Sequence, residues 1–321
     1  MKVSPITNNF RAGMSMEAGR IMKKTPLMIE QHIHGAFGVD FNTAGVADVQ
    51  KVADGLLKHG IGGFFPTLVT DSVDNIKRQV GVIKEAAKNC KRILGVHLEG
   101  IFINPEKKGV HNPEHFLPLT VENYQLLEDD FIRIVTLAPE LDEGLMDYLN
   151  SKGVKVQAGH CKGGDLSDVS GVTHMFNAMQ GITHRWQSTA LSALIDDRVY
   201  TEVIADGVHV YDDALKLLFR SKPADKILLV SDALPITESG MKSTVFADSR
   251  IYYDGVKATT AEGTLAGSTT LLDKAVKRLA SKDMFNPQYI ENPYKYHNIK
   301  PMGKIEWDDE WNIVSVRESL Y

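Results

Sequence analysis

The chain has 321 residues, 43% of them apolar, enough to bury a large core as one big domain or two modest ones. Its net charge of -5 gives no basic footprint for nucleic acid or an acidic membrane surface, and no apolar run approaches the roughly 20 residues of a membrane span. Cys90 and Cys161 form neither a CxxC pair nor a disulfide framework. The first stretch, with Asn8, Asn9, Arg11, Glu17 and Arg20, lacks the apolar centre of a signal peptide, so a cytoplasmic location is expected.

Residues 1–26 are mixed and carry no pattern. Leu27-Met28-Ile29 opens a strand-like run that ends in His32-Ile33-His34-Gly35. Helical spacing over Val46–His59 leads to a strand over Ile61–Val69, closed by Thr70-Asp71. A helix over Val73–Lys88 precedes the run Ile93–Leu98, which delivers Glu99 to a strand end just before Gly100. Burying a carboxylate there is unfavourable unless a cation or hydrogen bonds satisfy it. After a Pro-punctuated loop and a helix near Glu122, Ile132–Leu137 is a fourth strand. A helix near Met146 leads to Val154–Ala158 and then Gly159-His160. Gly171-Val172-Thr173-His174 is a sixth strand, and Val199–Ile204 a seventh, running into Ala205-Asp206-Gly207-Val208-His209. Ile227–Val230, followed by Ser231-Asp232, is the eighth.

Eight strand-like runs alternating with helical segments imply a parallel sheet, and their spacing fits an α/β (β/α)8 TIM-type barrel better than an open doubly wound sheet. Polar groups cluster at the C-terminal ends of the runs, where such barrels carry their chemistry. No Gly-x-Gly-x-x-Gly turn or P-loop follows a strand. The barrel is expected over 27–282, with a β insertion near 245–262. Short strand-like pieces such as Gly303–Val316 suggest a small, reduced β appendage from the chain ends, 1–26 and 283–321, with Pro287, Pro293 and Pro301 breaking the segment between.

His32 and His34 are two apart, so on a strand both face the same side and can share an ion. Each of Glu99, His160 and His174 has a bland alternative as a strand-end carboxylate or a satisfied core histidine. A barrel brings its strand ends to one mouth, however, and three such groups there match a catalytic zinc site with an open position for water. Asp232 either caps its loop or stands close enough to that water to take its proton. His111 and His209 are loop histidines, Arg185 is a surface charge or an anion clamp, and Gly163-Gly164 reads as a turn.

His97-Leu98-Glu99-Gly100, Lys108-Gly109-Val110-His111-Asn112-Pro113, Thr173-His174-Met175-Phe176-Asn177-Ala178-Met179, Ala205-Asp206-Gly207-Val208-His209 and Val230-Ser231-Asp232-Ala233 together resemble the N-acetylglucosamine-6-phosphate deacetylases of the amidohydrolase superfamily. The likeness runs from about residue 27 to about 275. It implies a divalent ion, Zn2+ before Fe2+ or another metal, held by Glu99, His160 and His174, with Asp232 as the acid/base and His111 on the acetamido carbonyl. It implies that Val110, Asn177, Ala178, Arg185, Asp206, His209 and Leu265-Ala266-Gly267 bind the amino-sugar phosphate. His32 and His34 match a second-metal motif of some relatives, giving one or two ions per subunit. A homodimer with no nucleic-acid or membrane partner is implied too. The chain departs from the pattern at Ile101 (usually proline), Cys161 (usually a small hydroxyl residue), Glu30 (usually Asp) and Trp186-Gln187-Ser188 (usually Glu-Pro-Gly), and much of the usual β-sandwich domain is missing. Another amide hydrolase on the same barrel, or a sugar-phosphate binding protein without chemistry, are the rival readings.

Overall fold

A computed structural model describes residues 15–17, 20–163 and 165–319 of the chain. Residues 1–14, named above for their lack of a signal pattern, and Gly164 of the expected turn lie outside the described residues.

The eight runs form one parallel sheet in sequence order: β1 (Met28–Ile33), β2 (Ile61–Leu68), β3 (Val96–Glu99), β4 (Ile132–Leu137), β5 (Lys155–Ala158), β6 (Gly171–Val172), β7 (Tyr200–Ile204) and β8 (Ile227–Val230). Nearly every strand residue is buried, because one face fills the barrel and the other meets the helices. Thus α1 (Val46–Lys58) turns Val49, Val52, Ala53 and Leu56 inward at helical spacing, and α2 (Val73–Ala87) begins where Ser72 accepts a hydrogen bond from Asn75 N.

The ring closes between β1 and β8 by other means than a full ladder. At the C-terminal edge, Asp232 N donates to His32 O (2.8 Å) and His34 N to Ala233 O (2.9 Å). Between them the buried Glu30 carboxylate accepts from His32 N and Ser231 N, both at 3.0 Å. At the opposite edge a helix, Gln288–Tyr296, covers the seam: Asn292 Nδ2 donates to Ile227 O (2.7 Å) and the Tyr294 hydroxyl to Leu27 O (2.6 Å). Of the three prolines expected to break this segment, Pro287 and Pro293 do not do so, while Pro301 stands in the irregular stretch after the helix. Pro287 precedes the helix and Pro293 lies within it, where losing one rung of a short helix is offset by the buried contacts around it.

Beside a two-residue pairing of Gly35–Ala36 with Val39–Asp40, the described residues form two larger antiparallel sheets. Ser243–Phe246, Ser249–Tyr253 and Ala258–Thr260 form the inserted sheet and lean over the barrel mouth, with the Phe246 ring 5.0 Å from that of His34. Ser15–Glu17, Arg20–Pro26, Gly303–Trp307 and Ile313–Glu318 join the two ends of the chain in a four-stranded sheet. Trp307 is wholly buried there, its indole N–H donating to Thr25 Oγ1 (2.8 Å). Cys90 and Cys161 are both buried and free. Among the described residues no helix is long and apolar enough to cross a membrane.

Candidate active site

Glu99 ends β3 and is almost fully buried, so both carboxylate oxygens must find positive partners. Oε1 lies 2.9 Å from His174 Nε2 and 3.1 Å from His160 Nε2, and these two nitrogens are 3.1 Å apart. Oε2 lies 2.8 Å from His34 Nε2 and 3.2 Å from His32 Nε2. Asp232 Oδ1 faces the same two rings at 3.2 and 3.4 Å. Glu99 therefore bridges two donor sets, Glu99–His160–His174 and His32–His34–Glu99–Asp232, and within each set the donor atoms lie within 4.8 Å of one another.

The donors fit a cation. His160 Nδ1 donates to the Lys107 carbonyl (2.8 Å), so in the neutral ring its Nε2 lone pair points at Glu99 and His174. Lone pairs and a carboxylate facing each other repel unless a positive ion stands among them. The titration pattern shows the same demand. Burial opposes charge on every group, yet the carboxylates of Glu99, Glu202 and Asp232 pull His32 well above its ordinary range, and Asp232 and Glu99 raise His34 to about 9. Burial works against Glu99 and Asp232 as well, yet the charge of His32 and hydrogen bonds from neighbouring histidines hold Glu99 well below the usual carboxylate range and lower Asp232. Imidazole and carboxylate donors in this number suit Zn2+ or a similar divalent ion.

The backbone is bent to aim these groups. His160, His174 and Asp232 take φ of 49°, 30° and 52°, a region that costs L-residues on the order of 1–3 kcal/mol each. The strain is held by specific bonds: Asn104 N to His160 O (2.9 Å), His174 N to Glu202 Oε2 (3.2 Å) and the seam bonds at Asp232. Ile101 sits at φ 63°, which proline cannot adopt, so the departure from the family pattern has a matching local backbone.

Over the two donor sets lies a cavity of about 460 Å³. Val110, His111, Asn177, Ala178, His209 and Leu265-Ala266-Gly267 line it, with Lys107 and Lys108 at its rim. His111 is fully placed: Thr70 Oγ1 accepts from Ile101 N (2.8 Å) and stands 2.8 Å from His111 Nδ1. A hydroxyl proton donated to Nδ1 leaves the Nε2–H of His111 as a free donor. Burial and the charges of neighbouring histidines keep His111 well below its ordinary pKa, hence neutral. Two expected residues are not in the lining. Asp206 lies behind His209, bonded to its Nδ1 at 2.7 Å, and His209 Nε2 bonds Ala266 O (2.8 Å), so the pair braces the 265–267 turn. Arg185 stands on an exposed segment, its Nε on His184 Nε2 (3.2 Å). A larger hollow of about 990 Å³ between Gln50, Cys90, Arg92 and Met302 holds none of the clustered histidines.

No family model matches the chain. It is 31% identical over 274 residues to the N-acetylglucosamine-6-phosphate deacetylase of Bacillus subtilis (strain 168), spanning 79% of this chain and 69% of that protein. The chain belongs to the N-acetylglucosamine-6-phosphate deacetylase family. It is also 29% identical over 296 residues to the N-acetylgalactosamine-6-phosphate deacetylase of Escherichia coli O157:H7, covering 87% of this chain and 78% of that one. Its fold superposes on the crystal structure of N-acetylglucosamine-6-phosphate deacetylase from Pasteurella multocida with TM-score 0.85, at 26% identity, over 94% of this chain and 86% of that one.

As a member of this deacetylase family the chain is an amidohydrolase-superfamily enzyme whose buried cluster offers donors for a divalent metal. Sequence reading missed three supports of that cluster. Thr70 reads from the sequence only as a strand end, yet its hydroxyl bonds Ile101 N and His111 Nδ1. Glu202 sits as a lone acid within the apolar run 199–204, a signal that was present. Glu30 was noted only as a departure, yet it staples the seam beneath His32 and Asp232.

Proposed function

We propose that the protein hydrolyses the acetamide of N-acetylglucosamine 6-phosphate to glucosamine 6-phosphate and acetate. The reading rests above all on Glu99, His160, His174 and Asp232 converging beneath a cavity that a sugar phosphate fits. Glu99, His160 and His174 would hold one divalent ion, zinc first, and His32 and His34 a second with Glu99 and Asp232. The ion, when bound, acidifies water from a pKa of 15.7 toward roughly 7 and polarises the carbonyl.

The chain's own groups do the rest. His111 Nε2–H donates to the acetamido oxygen as negative charge builds there, an effect commonly worth about 3–4 kcal/mol. Asp232 takes the proton of the attacking water and hands it to the departing sugar amine, so the product leaves as a neutral or protonated amine. Asn177, the Ala178 backbone, Lys108 and the charge of His209 favour the phosphate, and Arg185 adds a two-pronged donor if its segment folds over the mouth. The 4-epimer, N-acetylgalactosamine 6-phosphate, is the second reading, favoured by the relative from E. coli O157:H7. Homodimerisation and a cytoplasmic location complete the proposal; Ile182, Trp186 and Ile195 are large apolar side chains left exposed.

Acetate release from the two phosphorylated sugars and from unphosphorylated N-acetylglucosamine tests this. Turnover confined to a phosphorylated sugar supports it; turnover of none of them removes it.

A further inference from the structure

Glu202 lies on β7 inside the barrel and is wholly buried, yet it touches neither the cavity nor either expected ion position directly. Its carboxylate accepts from three donors. Oε2 is 3.0 Å from His32 Nδ1 and 3.2 Å from His174 N, and Oε1 accepts from Gln31 Nε2 at 2.6 Å. Gln31 is itself fixed, its Oε1 lying 2.8 Å from His297 Nε2.

A carboxylate only accepts, so it holds a proton on His32 Nδ1, and in the neutral ring that a metal ion requires Nε2 is then the bare nitrogen. That bare Nε2 points at Glu99 Oε2 (3.2 Å) and Asp232 Oδ1 (3.4 Å), and it has no hydrogen-bond partner of its own. The neighbouring His97 shows the contrast: its Nδ1 and Nε2 are both occupied, by Gln31 O and Thr136 Oγ1 at 2.8 Å each, so it cannot serve as a ligand. Burying an anion is costly, but only a carboxylate accepts at both ends, as donors on Oε1 and Oε2 require; a glutamine would turn its own NH2 on one of them. An anion is needed where an imidazole must be both oriented and made a stronger donor.

We infer that Glu202 is the positioning residue for an ion at His32 and His34, setting the His32 tautomer so that Nε2 faces the ion. This rests on the reading that His32 and His34 hold a second ion. The same carboxylate anchors the backbone of His174, so one side chain ties a ring of one donor set to the main chain of the other.

Zinc-loaded wild type, Glu202→Gln and His32→Asn are dialysed against graded chelator, and zinc per chain is counted. The expected result is two ions in wild type, one in His32→Asn, and in Glu202→Gln one ion lost about 10- to 100-fold more readily while the other is held as in wild type. Glu202→Gln releasing both ions as wild type does overturns the role of Glu202 alone. Wild type and His32→Asn each holding a single ion overturns the second-ion reading and this inference with it. Nitrogen NMR of 15N-histidine-labelled, zinc-loaded wild type gives a readout that needs no variant. His32 with Nδ1–H and zinc on Nε2 supports the inference, and a proton on Nε2 or zinc on Nδ1 overturns it.

Discussion

Gly100→Ala probes the His111 donor through the backbone. Gly100 has φ 112°, and a Cβ placed on it would lie 2.1 Å from Thr70 Oγ1 and 2.7 Å from His111 Nδ1. Those two atoms are the hydrogen bond that orients His111, so the methyl occupies the space of the bond itself. Left-handed strain costs about 1–2 kcal/mol, and a buried donor or acceptor left unpaired costs about 1–3 kcal/mol more. The variant should therefore lose roughly 2–5 kcal/mol of stability, read from denaturant midpoints. With the carbonyl donor displaced, kcat should fall on the order of 10²- to 10³-fold. Thr70→Val removes the hydroxyl without backbone strain; it should lower kcat in the same direction while costing less stability. A folded Gly100→Ala protein that turns over near the wild-type rate would refute the reasoning.

Three further outcomes are expected. Asp232→Asn should keep the ion at Glu99, His160 and His174, counted by elemental analysis, and lose turnover, whereas Glu99→Ala should lose both; an Asp232→Asn enzyme of near-normal rate would rule out the proton-transfer role. His209→Asn should lower the melting temperature more at pH 6 than at pH 9. Burial opposes charge on both partners, but their mutual bond raises His209 and depresses Asp206. The His209 contribution is present below about 6.5 and fades as pH rises through the raised value, while that of Asp206 is present above about 3.9 and fades only in stronger acid. An equal loss at both pH values would contradict the ion pair. Finally, Trp307→Ala should cost about 3–5 kcal/mol, since it leaves a cavity where a wholly buried indole packs and removes its hydrogen bond to Thr25 Oγ1; a denaturant midpoint unchanged from wild type would count against that sheet.

The barrel was legible because each strand is a short apolar run ending in a polar group, a pattern set by burial on both faces. The donor cluster was legible for the same reason: Glu99, His160, His174 and Asp232 are the polar ends of such runs. Less legible were groups whose role depends on a partner far along the chain. Glu202 meets His32 across the barrel and Glu30 meets Ser231 across the seam, pairings that spacing cannot reveal. The helix over Gln288–Tyr296 escaped notice because proline content outweighed the buried face that Tyr289, Ile290, Asn292 and Tyr294 present to the barrel floor. Arg185 was placed by motif, and only the fold shows that its segment stands clear of the cavity.

Crystals of the zinc-loaded protein, measured at the zinc absorption edge, test the central claim most directly. The account predicts an anomalous peak bounded by Glu99 Oε1, His160 Nε2 and His174 Nε2. Zinc-loaded crystals with the peak elsewhere, or with none, would contradict it.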